Sequence, residues 1–190
     1  PWREKLRELS KGNPDAEELL HYLSINYGPY DRLEDMEPFL GTTPKPDGAN
    51  YYPKGMSREE FETWIENHPD DAEAFRSNFT VIRRKGADLV AVPYSVAYAD
   101  QLQKAHDLLK QAAALSDNES LKKYLTSRAD AFLSNDYFQS DMDWMDLNSK
   151  IEITIGPYEV YEDALFGYKA AFEAFITLKD PVESDKLLTF

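Results

Sequence analysis

Four carboxylates lie close together in the last third of the sequence, around a Gly-Pro pair. Glu152 precedes Gly156-Pro157, and Glu159, Glu162 and Asp163 follow it. Two carboxylates that converge with separated pKa values can act as a general acid and a general base. A single carboxylate can instead bind an ammonium group through charge-assisted hydrogen bonds. Acidic residues in the first turns of a helix are also favoured by the helix dipole alone. The residues by themselves therefore leave a site and a structural role both open.

Histidine and cysteine form no recognisable metal or nucleophile motif in this sequence. Cysteine is absent, and the three histidines, His21, His68 and His106, are each alone on a different predicted element. No H-E-x-x-H segment, Ser/His/Asp order or Gly-rich phosphate loop is found. The Nudix pattern is incomplete because no Arg-Glu pair follows Gly12 and Glu18. We therefore predict no catalytic residue, no metal ligand and no bound cofactor within this chain.

An acidic run further upstream matches a calcium loop only in part. Asp141, Asp143 and Glu152 occupy positions 1, 3 and 12 of such a loop. Met145 at position 5 and Asp146 at the glycine position 6 remove a ligand and the required turn. We interpret the run as a solvated acidic turn. Its apolar neighbours are expected to be buried: Met142, Trp144 and Met145.

The charge balance restricts the classes of partner. The 35 Asp and Glu residues outnumber the 21 Lys and Arg residues, which gives a net charge of −14. Nucleic acid and anionic membrane surfaces would repel such a chain, so neither is expected as a partner. No apolar run approaches the roughly 18 residues that span a bilayer, and no signal-peptide core is visible. We expect a cytoplasmic protein whose partners are peptides or small molecules. The start at Pro1-Trp2-Arg3, without a methionine, suggests a piece of a longer polypeptide.

Helical periodicity dominates the first 145 residues. Ser57 and Glu60 have the spacing of a capping box, and Ser95 is expected to cap a long helix to Leu115. The segment from Gly41 to Gly55 is rich in Gly and Pro and is expected to be an ordered loop packed by its tyrosines. The predicted helices cover residues 2–9, 14–27, 33–40, 57–67, 71–77, 95–115 and 120–133.

Alternating apolar residues predict a small amount of sheet. Residues 79–83 and 89–94 form a hairpin signal with the turn at 84–88, and Ile151, Ile153 and Ile155 alternate on one face of a further strand. Gly156-Pro157 is expected to end that strand. Apolar residues at helical spacing then predict a helix to Lys179: Leu165, Tyr168, Phe172, Phe175 and Ile176. The predicted fold class is α+β, predominantly helical, with a small antiparallel sheet of hairpin 79–94 plus strand 150–156, in a single domain over residues 1–190.

Four segments together resemble bacterial proteins similar to dipeptidyl peptidase III, in the M49 family of metallopeptidases. They span most of the chain in the family's order, which is more specific than one short motif. In plants a similar region is joined to a Nudix hydrolase domain. The segments are I-G-P-Y-E-V-Y-E-D-A-L-F-G-Y-K-A-A-F-E-A-F within residues 151–176, A-N-Y-Y-P-K-G-M-S-R-E-E-F-E (49–62), L-V-A-V-P-Y-S-V-A-Y (89–98) and S-D-M-D-W-M-D (140–146).

The resemblance implies a two-lobed zinc exopeptidase whose active site lies in the cleft between the lobes. The family's zinc motif, H-E-x-x-G-H with a further glutamate downstream, is not present in this sequence and lies C-terminal to the matched segments. The resemblance therefore implies that this chain is the N-terminal, non-zinc lobe, a fragment of a longer chain. Zinc is expected only in the C-terminal part.

The resemblance also assigns substrate-binding residues. In the peptidases, the glutamate of E-x-Y-x-G helps to hold the substrate's N-terminal amine, and the tyrosine assists the cleaved carbonyl. The matching run here is Glu152-Ile153-Thr154-Ile155-Gly156, which keeps the glutamate and has Thr154 in place of the tyrosine. Glu152 is expected to bind a ligand ammonium group, and Tyr158 and Tyr161 are expected to shape the cleft.

Three functions follow from these observations. The first is a fragment of an M49-like zinc metallopeptidase or hydrolase that forms the non-zinc wall of a peptide-binding cleft and is inactive on its own. The second is a non-catalytic helical module whose acidic corner docks a basic partner. The third is a protein labelled as a MutT or Nudix hydrolase through domain association alone. Separation from a second lobe would expose an apolar face, through which the chain would dimerise or aggregate.

Overall fold

A computed structural model of the chain describes residues 4, 7–8, 11–12 and 14–187. Most of the predicted helix from Trp2 to Leu9 lies outside the described residues. The chain divides into two compact units, Pro1–Pro46 and Asp47–Phe190. Within the described residues, no helix combines the length and the apolar character needed to cross a membrane. That residues 1–190 form a single domain stays a prediction.

From Pro14 onward, the described part of the first unit contains a helix and a minimal strand pair. Helix α1 runs over Pro14–Ile25 and has Asp15 and Glu17 in its first turn, as the sequence predicts. Strands β1 (Tyr30–Asp31) and β2 (Glu37–Pro38) pair antiparallel. The predicted helix over 33–40 is wrong. Asp31 Oδ1 accepts a hydrogen bond from the Leu33 N–H at 2.9 Å, which stabilises a turn in place of a helix.

The second unit begins with a packed loop and a capped helix. Tyr52 is buried within the loop that precedes Ser57, as expected of an ordered loop. Helix α2 (Arg58–Asn67) begins after Ser57, whose Oγ accepts a hydrogen bond from the Glu60 N–H at 3.1 Å. This bond confirms half of the predicted capping box. A 3₁₀ turn (Pro69–Asp71) and helix α3 (Ala72–Arg76) follow.

The predicted hairpin is confirmed, with a tighter turn than expected. Strands β3 (Thr80–Lys85) and β4 (Asp88–Pro93) pair antiparallel, and Lys85 is opposite Asp88, so the turn has only two residues. Pro93, at the end of β4, has no N–H to donate, and helix α4 (Tyr94–Ala97) starts directly after it. Helix α5 (Ala99–Leu115) is a separate helix.

Ser95 does not cap the long helix, which corrects the sequence prediction. Ser95 lies inside α4, and the helical conformation is interrupted at Tyr98 before α5 begins. Helix α6 (Glu119–Ser134) has the side chain of Asn118 as its N-cap and packs antiparallel to α5 as the predicted helical hairpin. Helix α7 (Phe138–Met145) follows.

Residues 141–145 of the acidic run are helical, and the burial of residues 142–145 is the reverse of the prediction. Met142, Trp144 and Met145 are exposed, whereas Asp143 is buried. Lys123 of α6 lies 2.9 Å from Asp143 Oδ1, and Gln139 donates to the same oxygen. These partners compensate the burial of the charge, which alternation along the sequence could not show.

The last part of the chain is a long hairpin, not a strand followed by a helix. Strand β5 runs over Ile151–Glu159, straight through Gly156-Pro157, and pairs antiparallel with β6 (Ala171–Leu178). A bulge between Pro157 and Glu159 accommodates the proline, which cannot donate to the ladder. Helix α8 covers Pro181–Leu187.

The predicted helix over 159–179 is therefore wrong, because its i, i+3, i+4 spacing was shared by two other elements. Leu165 and Tyr168 belong to a loop, and Phe172, Phe175 and Ile176 belong to β6. Aromatic and β-branched residues suit a strand at least as well as a helix, and the available partner strand decides between them. The fold class itself, α+β and mostly helical with small antiparallel sheets, is confirmed. The residues that the structure describes form three two-stranded sheets, and β5 joins β6 and not hairpin 79–94.

Two apolar clusters hold the second unit together. One lies between α5, α6 and the start of β3, and Ile153 and Ile155 of β5 pack against it. The other lies between α2, α3 and the β3–β4 hairpin, and Leu165, Phe166 and Tyr168 of the β5–β6 loop pack against that. The strand and the loop that follow each other in sequence are thus supported by different clusters.

Candidate functional site

Glu152 lies near the start of β5 and has a half-exposed side chain, 46% accessible. Its neighbour across the sheet is Thr177, and Thr154 is opposite Phe175. Residues alternate along a strand and directly opposed residues share a face, so these four side chains lie on one face of the hairpin. Ile153 and Ile155 point the other way, onto the α5–α6 cluster. The face that carries Glu152 is therefore turned away from that core.

This face combines a carboxylate, two hydroxyls and an aromatic ring. Lys179 Nζ lies 3.9 Å from Glu152 Oε1, and the Lys179 side chain is also partly exposed. Phe175 is 56% accessible. An exposed ion pair at this distance is weak and exchanges readily with another cation. The face can therefore hold an ammonium group beside an apolar group.

A pair of carboxylates, Glu159 and Glu173, lies farther along the same hairpin. Glu173 is opposite Gly156, and Glu159 is opposite Ala171. Burial raises the pKa of Glu173, and the charge and the hydrogen bond of Glu159 raise it further. Glu173 therefore holds a proton more readily than a lone glutamate does.

Tyr158 is half-buried against the helices rather than placed beside Glu152. Its hydroxyl donates to Asp141 Oδ1 of α7 at 3.2 Å, and its ring lies 5.3 Å from the guanidinium carbon of Arg128. Burial raises the pKa of Tyr158 well above its ordinary value. Tyr158 lies six positions along the strand from Glu152, which places the two residues roughly 20 Å apart at a rise of about 3.3 Å per residue. The structure does not bring these two predicted residues together.

Tyr161 lies in the loop between β5 and β6 and is 66% accessible. Its carbonyl accepts a hydrogen bond from the Ala164 N–H at 3.3 Å, within the turn that leads to Asp163. Whether Tyr158 and Tyr161 contact a ligand stays a prediction.

Asp163 organises the loop that carries Tyr161. The carboxylate is buried and accepts hydrogen bonds from five successive backbone N–H groups, those of residues 165–169, at 2.7–3.2 Å. The Tyr52 hydroxyl donates a sixth bond at 3.0 Å. Burial acts to raise the pKa of Asp163, but these bonds outweigh it and hold the pKa below its usual value. Asp163 is a structural anchor and not the helix-dipole carboxylate that the sequence predicted.

Lys169 fixes the same loop to the rest of the unit. Its buried Nζ donates to the carbonyls of Phe75 and Ser77 and to Thr80 Oγ1, at 2.6–2.9 Å. Burial lowers the pKa of Lys169 to about 7, against the charge of Asp163, which acts to raise it. The loop is therefore held at both ends by buried charged groups.

The residues present do not fit the zinc that the resemblance implies. Among the described residues, no group of three or more His, Asp or Glu side chains is arranged to hold a metal ion. His106 contacts Asp107 and Asp130, His68 stacks on Trp64, and His21 lies on α1. We derive no step through a metal from this chain.

The sequence prediction missed the burial of four charged residues among those that the structure describes: Arg128, Asp143, Asp163 and Lys169. One signal was available for Asp163, since Asp-x-x-x-Gly at 163–167 is typical of a loop in which the aspartate accepts backbone hydrogen bonds. Arg128 and Lys169 carried no such signal, because a lone basic residue on a predicted helix is usually solvated.

A model of peptidase family M49 matches residues 57–190 of this chain. The match covers more than half of the sequence and includes the β5–β6 hairpin with Glu152. The chain belongs to peptidase family M49.

Two solved structures and one curated relative are similar to this chain. The chain is similar to a solved structure of DPP III from Caldithrix abyssi, with 59% identity, a TM-score of 0.93, and coverage of 100% of this chain and 36% of the other. Dipeptidyl-peptidase III from Corallococcus sp. strain EGB shows 45% identity, a TM-score of 0.90 and coverage of 99% and 35%. Nudix hydrolase 3 of Arabidopsis thaliana is 36% identical over 239 residues, which cover 97% of this chain and 31% of the plant protein.

These matches confirm the M49 resemblance and its association with a Nudix-named protein. The chain spans about a third of the length of each of these relatives.

Proposed function

We propose that this M49 chain forms the non-zinc wall of a peptide-binding cleft and that Glu152 binds the N-terminal ammonium group of the peptide. The observation that carries this proposal is the open face of the β5–β6 hairpin. Glu152 is half-exposed there, on a strand whose opposite face is packed on the α5–α6 cluster. Because this strand is packed on a core, its carboxylate moves little when a ligand binds. Such preorganisation reduces the free-energy cost of binding.

The expected strength of this recognition is modest. An exposed ion pair contributes about 0.2–1 kcal/mol, so Glu152 alone would favour a free amine over a blocked one by up to about fivefold. Phe175 adds an apolar surface on the same face for the side chain of the terminal residue. The face therefore suits an extended peptide that begins with an apolar residue.

Hydrolysis is proposed for a longer protein and not for this chain. Zinc, which the family resemblance implies, would be bound by residues outside these 190. Thr154 supplies a hydroxyl without the reach of a tyrosine phenol. We expect the isolated chain to release no dipeptide from a dipeptidyl arylamide.

The test is an NMR titration of the 190-residue chain with leucyl-leucinamide and with its N-acetylated form. Wild type should bind the free amine more tightly, by up to about fivefold, and Glu152→Gln should remove this preference. Glu66→Gln, an exposed glutamate of α2, is the matched control and should keep it. Equal binding of the two peptides by wild type would contradict the proposal. Binding of basic peptides without regard to the amine would instead favour the non-catalytic module.

A further inference from the structure

Arg128 of α6 is a fully buried cation with a single carboxylate partner. Its Nη2 lies 2.5 Å from Asp141 Oδ1 of α7. Neither Nε nor Nη1 has a hydrogen-bond partner within the described part of the chain, and the same holds for the buried hydroxyl of Tyr137. Burying an arginine with donors unused is costly, so the residue needs another source of stabilisation or a purpose.

Three tyrosine rings surround the guanidinium group of Arg128. The guanidinium carbon lies 5.5 Å from the ring centroid of Tyr124, 5.4 Å from that of Tyr137 and 5.3 Å from that of Tyr158. All three distances are within the range of cation–π attraction. The rings come from α6, from the residue before α7 and from β5, so the cation joins three elements.

The contacts with β5 are specific to its central part. A Cβ atom on Gly156 would lie 2.9 Å from Arg128 Nη1, so only glycine lets the strand approach this closely. The Tyr124 hydroxyl accepts a hydrogen bond from the Ile155 N–H at 3.4 Å. Asp141 Oδ1 accepts hydrogen bonds from both Arg128 Nη2 and the Tyr158 hydroxyl.

We infer that Arg128 is a positioning residue for Glu152. It locks β5 at residues 155–158 onto α6 and α7, and β5 in turn holds Glu152 three residues before that lock. The inference rests on the proposed function of Glu152. It adds that ammonium recognition depends on a buried cation that never touches the ligand.

The test uses Arg128→Met in the 190-residue chain, with Arg76→Met, an exposed arginine of α3, as the matched control. Methionine fills much of the same space against the three rings but cannot pair with Asp141. Two readouts are taken: the preference for leucyl-leucinamide over its N-acetylated form, and amide hydrogen exchange in β5 and in the β3–β4 hairpin.

We expect Arg128→Met to reduce the preference to less than half of its wild-type value, which is up to about fivefold. Amides of residues 151–155 should exchange at least tenfold faster, while those of β3–β4 stay within twofold of wild type. A folded Arg128→Met chain that keeps both the preference and the β5 protection would overturn the inference. Equally faster exchange in β3–β4 would also overturn it, because the role of Arg128 would then be general stability.

Two milder variants decide the matter if Arg128→Met does not fold. Tyr158→Phe removes only the hydroxyl that donates to Asp141, and Arg128→Lys keeps the charge without the planar group. Each should speed exchange at residues 151–155 at least threefold, and behaviour like that of Arg76→Met would overturn the inference. If wild type shows no preference for the free amine, the proposed function fails, and the exchange readout still decides whether Arg128 locks β5.

Discussion

Replacing Asp163 by asparagine tests how the β5–β6 loop is held. The carboxylate has two oxygens that together accept six hydrogen bonds, three on Oδ1 and three on Oδ2. Asparagine keeps one oxygen and replaces the other with an NH₂ donor. The N–H groups of Tyr168 and Lys169 would then face a donor, whereas the Tyr52 hydroxyl can rotate.

The size of the effect follows from the two N–H groups left without an acceptor. Each buried, unsatisfied donor costs about 1–3 kcal/mol, so Asp163→Asn should lower the free energy of unfolding by about 4 kcal/mol. With a urea dependence of about 2 kcal/mol per M, the unfolding midpoint should fall by about 2 M. Amide exchange at residues 165–169 should rise in the same variant.

Asp180→Asn is the matched control for Asp163→Asn. Asp180 Oδ1 also accepts two successive backbone N–H groups, those of Val182 and Glu183, but the residue is exposed at the start of α8. Asparagine is as good a cap as aspartate, so this variant should change the midpoint little. A loss below about 1 kcal/mol for Asp163→Asn would refute the reasoning, because the hydrogen bonds would then contribute no more than surface ones.

The pH dependence gives an independent check on Asp163. Its folded-state pKa lies below its unfolded value of about 3.9, so its contribution is present above that pH and is lost as the pH falls through the folded pKa. Wild type should therefore lose stability below about pH 4 more steeply than Asp163→Asn. If the free energy of unfolding fell equally with decreasing pH in the two proteins, this carboxyl would not titrate as the structure indicates.

Three further predictions concern the same unit. Lys169 has a folded pKa of about 7 and an unfolded pKa of about 10.4, so the unfolded chain binds more protons, and the free energy of unfolding should rise between pH 7 and 9 by at most about 1.4 kcal/mol per pH unit. In urea unfolding, Lys169→Met should show a smaller rise of the free energy of unfolding with pH, and an equal rise in the two proteins would contradict this. Gly156→Ala should lower the free energy of unfolding by about 1–3 kcal/mol, because its Cβ would meet Arg128, whereas Gly28→Ala, with no atom closer than 4.0 Å, should be near neutral in the same assay. Phe175→Ala should weaken binding of leucyl-leucinamide more than that of glycyl-glycinamide in the NMR titration, whereas Phe138→Ala, an exposed phenylalanine of α7, should weaken neither.

Local signals predicted the elements whose cues lie within a few residues of one another. The α5–α6 hairpin has apolar helical spacing, and α2 has a cap and apolar spacing on one short stretch. The β3–β4 hairpin has its turn residues between two alternating runs. The predicted helices over 33–40 and 159–179 were wrong because the same apolar spacing fits more than one structure. In both places an aspartate, Asp31 or Asp163, bonds to backbone N–H groups and stabilises a turn that competes with helix.

Glu152 could be selected from the sequence, because the family resemblance maps onto consecutive residues of one segment. The residues around Glu152 could not be predicted, because Thr177, Phe175 and Lys179 come close to it only when β6 folds back along β5. The burial of Arg128 was missed for the same reason, since Asp141 and Tyr158 lie 13 and 30 positions away from it in sequence.

The sequence by itself determined the family, the acidic character, the fold class and one candidate ligand-binding carboxylate. These depend on composition, on short-range spacing and on the order of recognisable segments. Only the tertiary structure decided that residues 171–178 are a strand and that Asp163, Lys169 and Arg128 are buried. The physical reason is that burial of a charge is stable only when partners distant in sequence compensate it, and neither periodicity nor propensity contains that information.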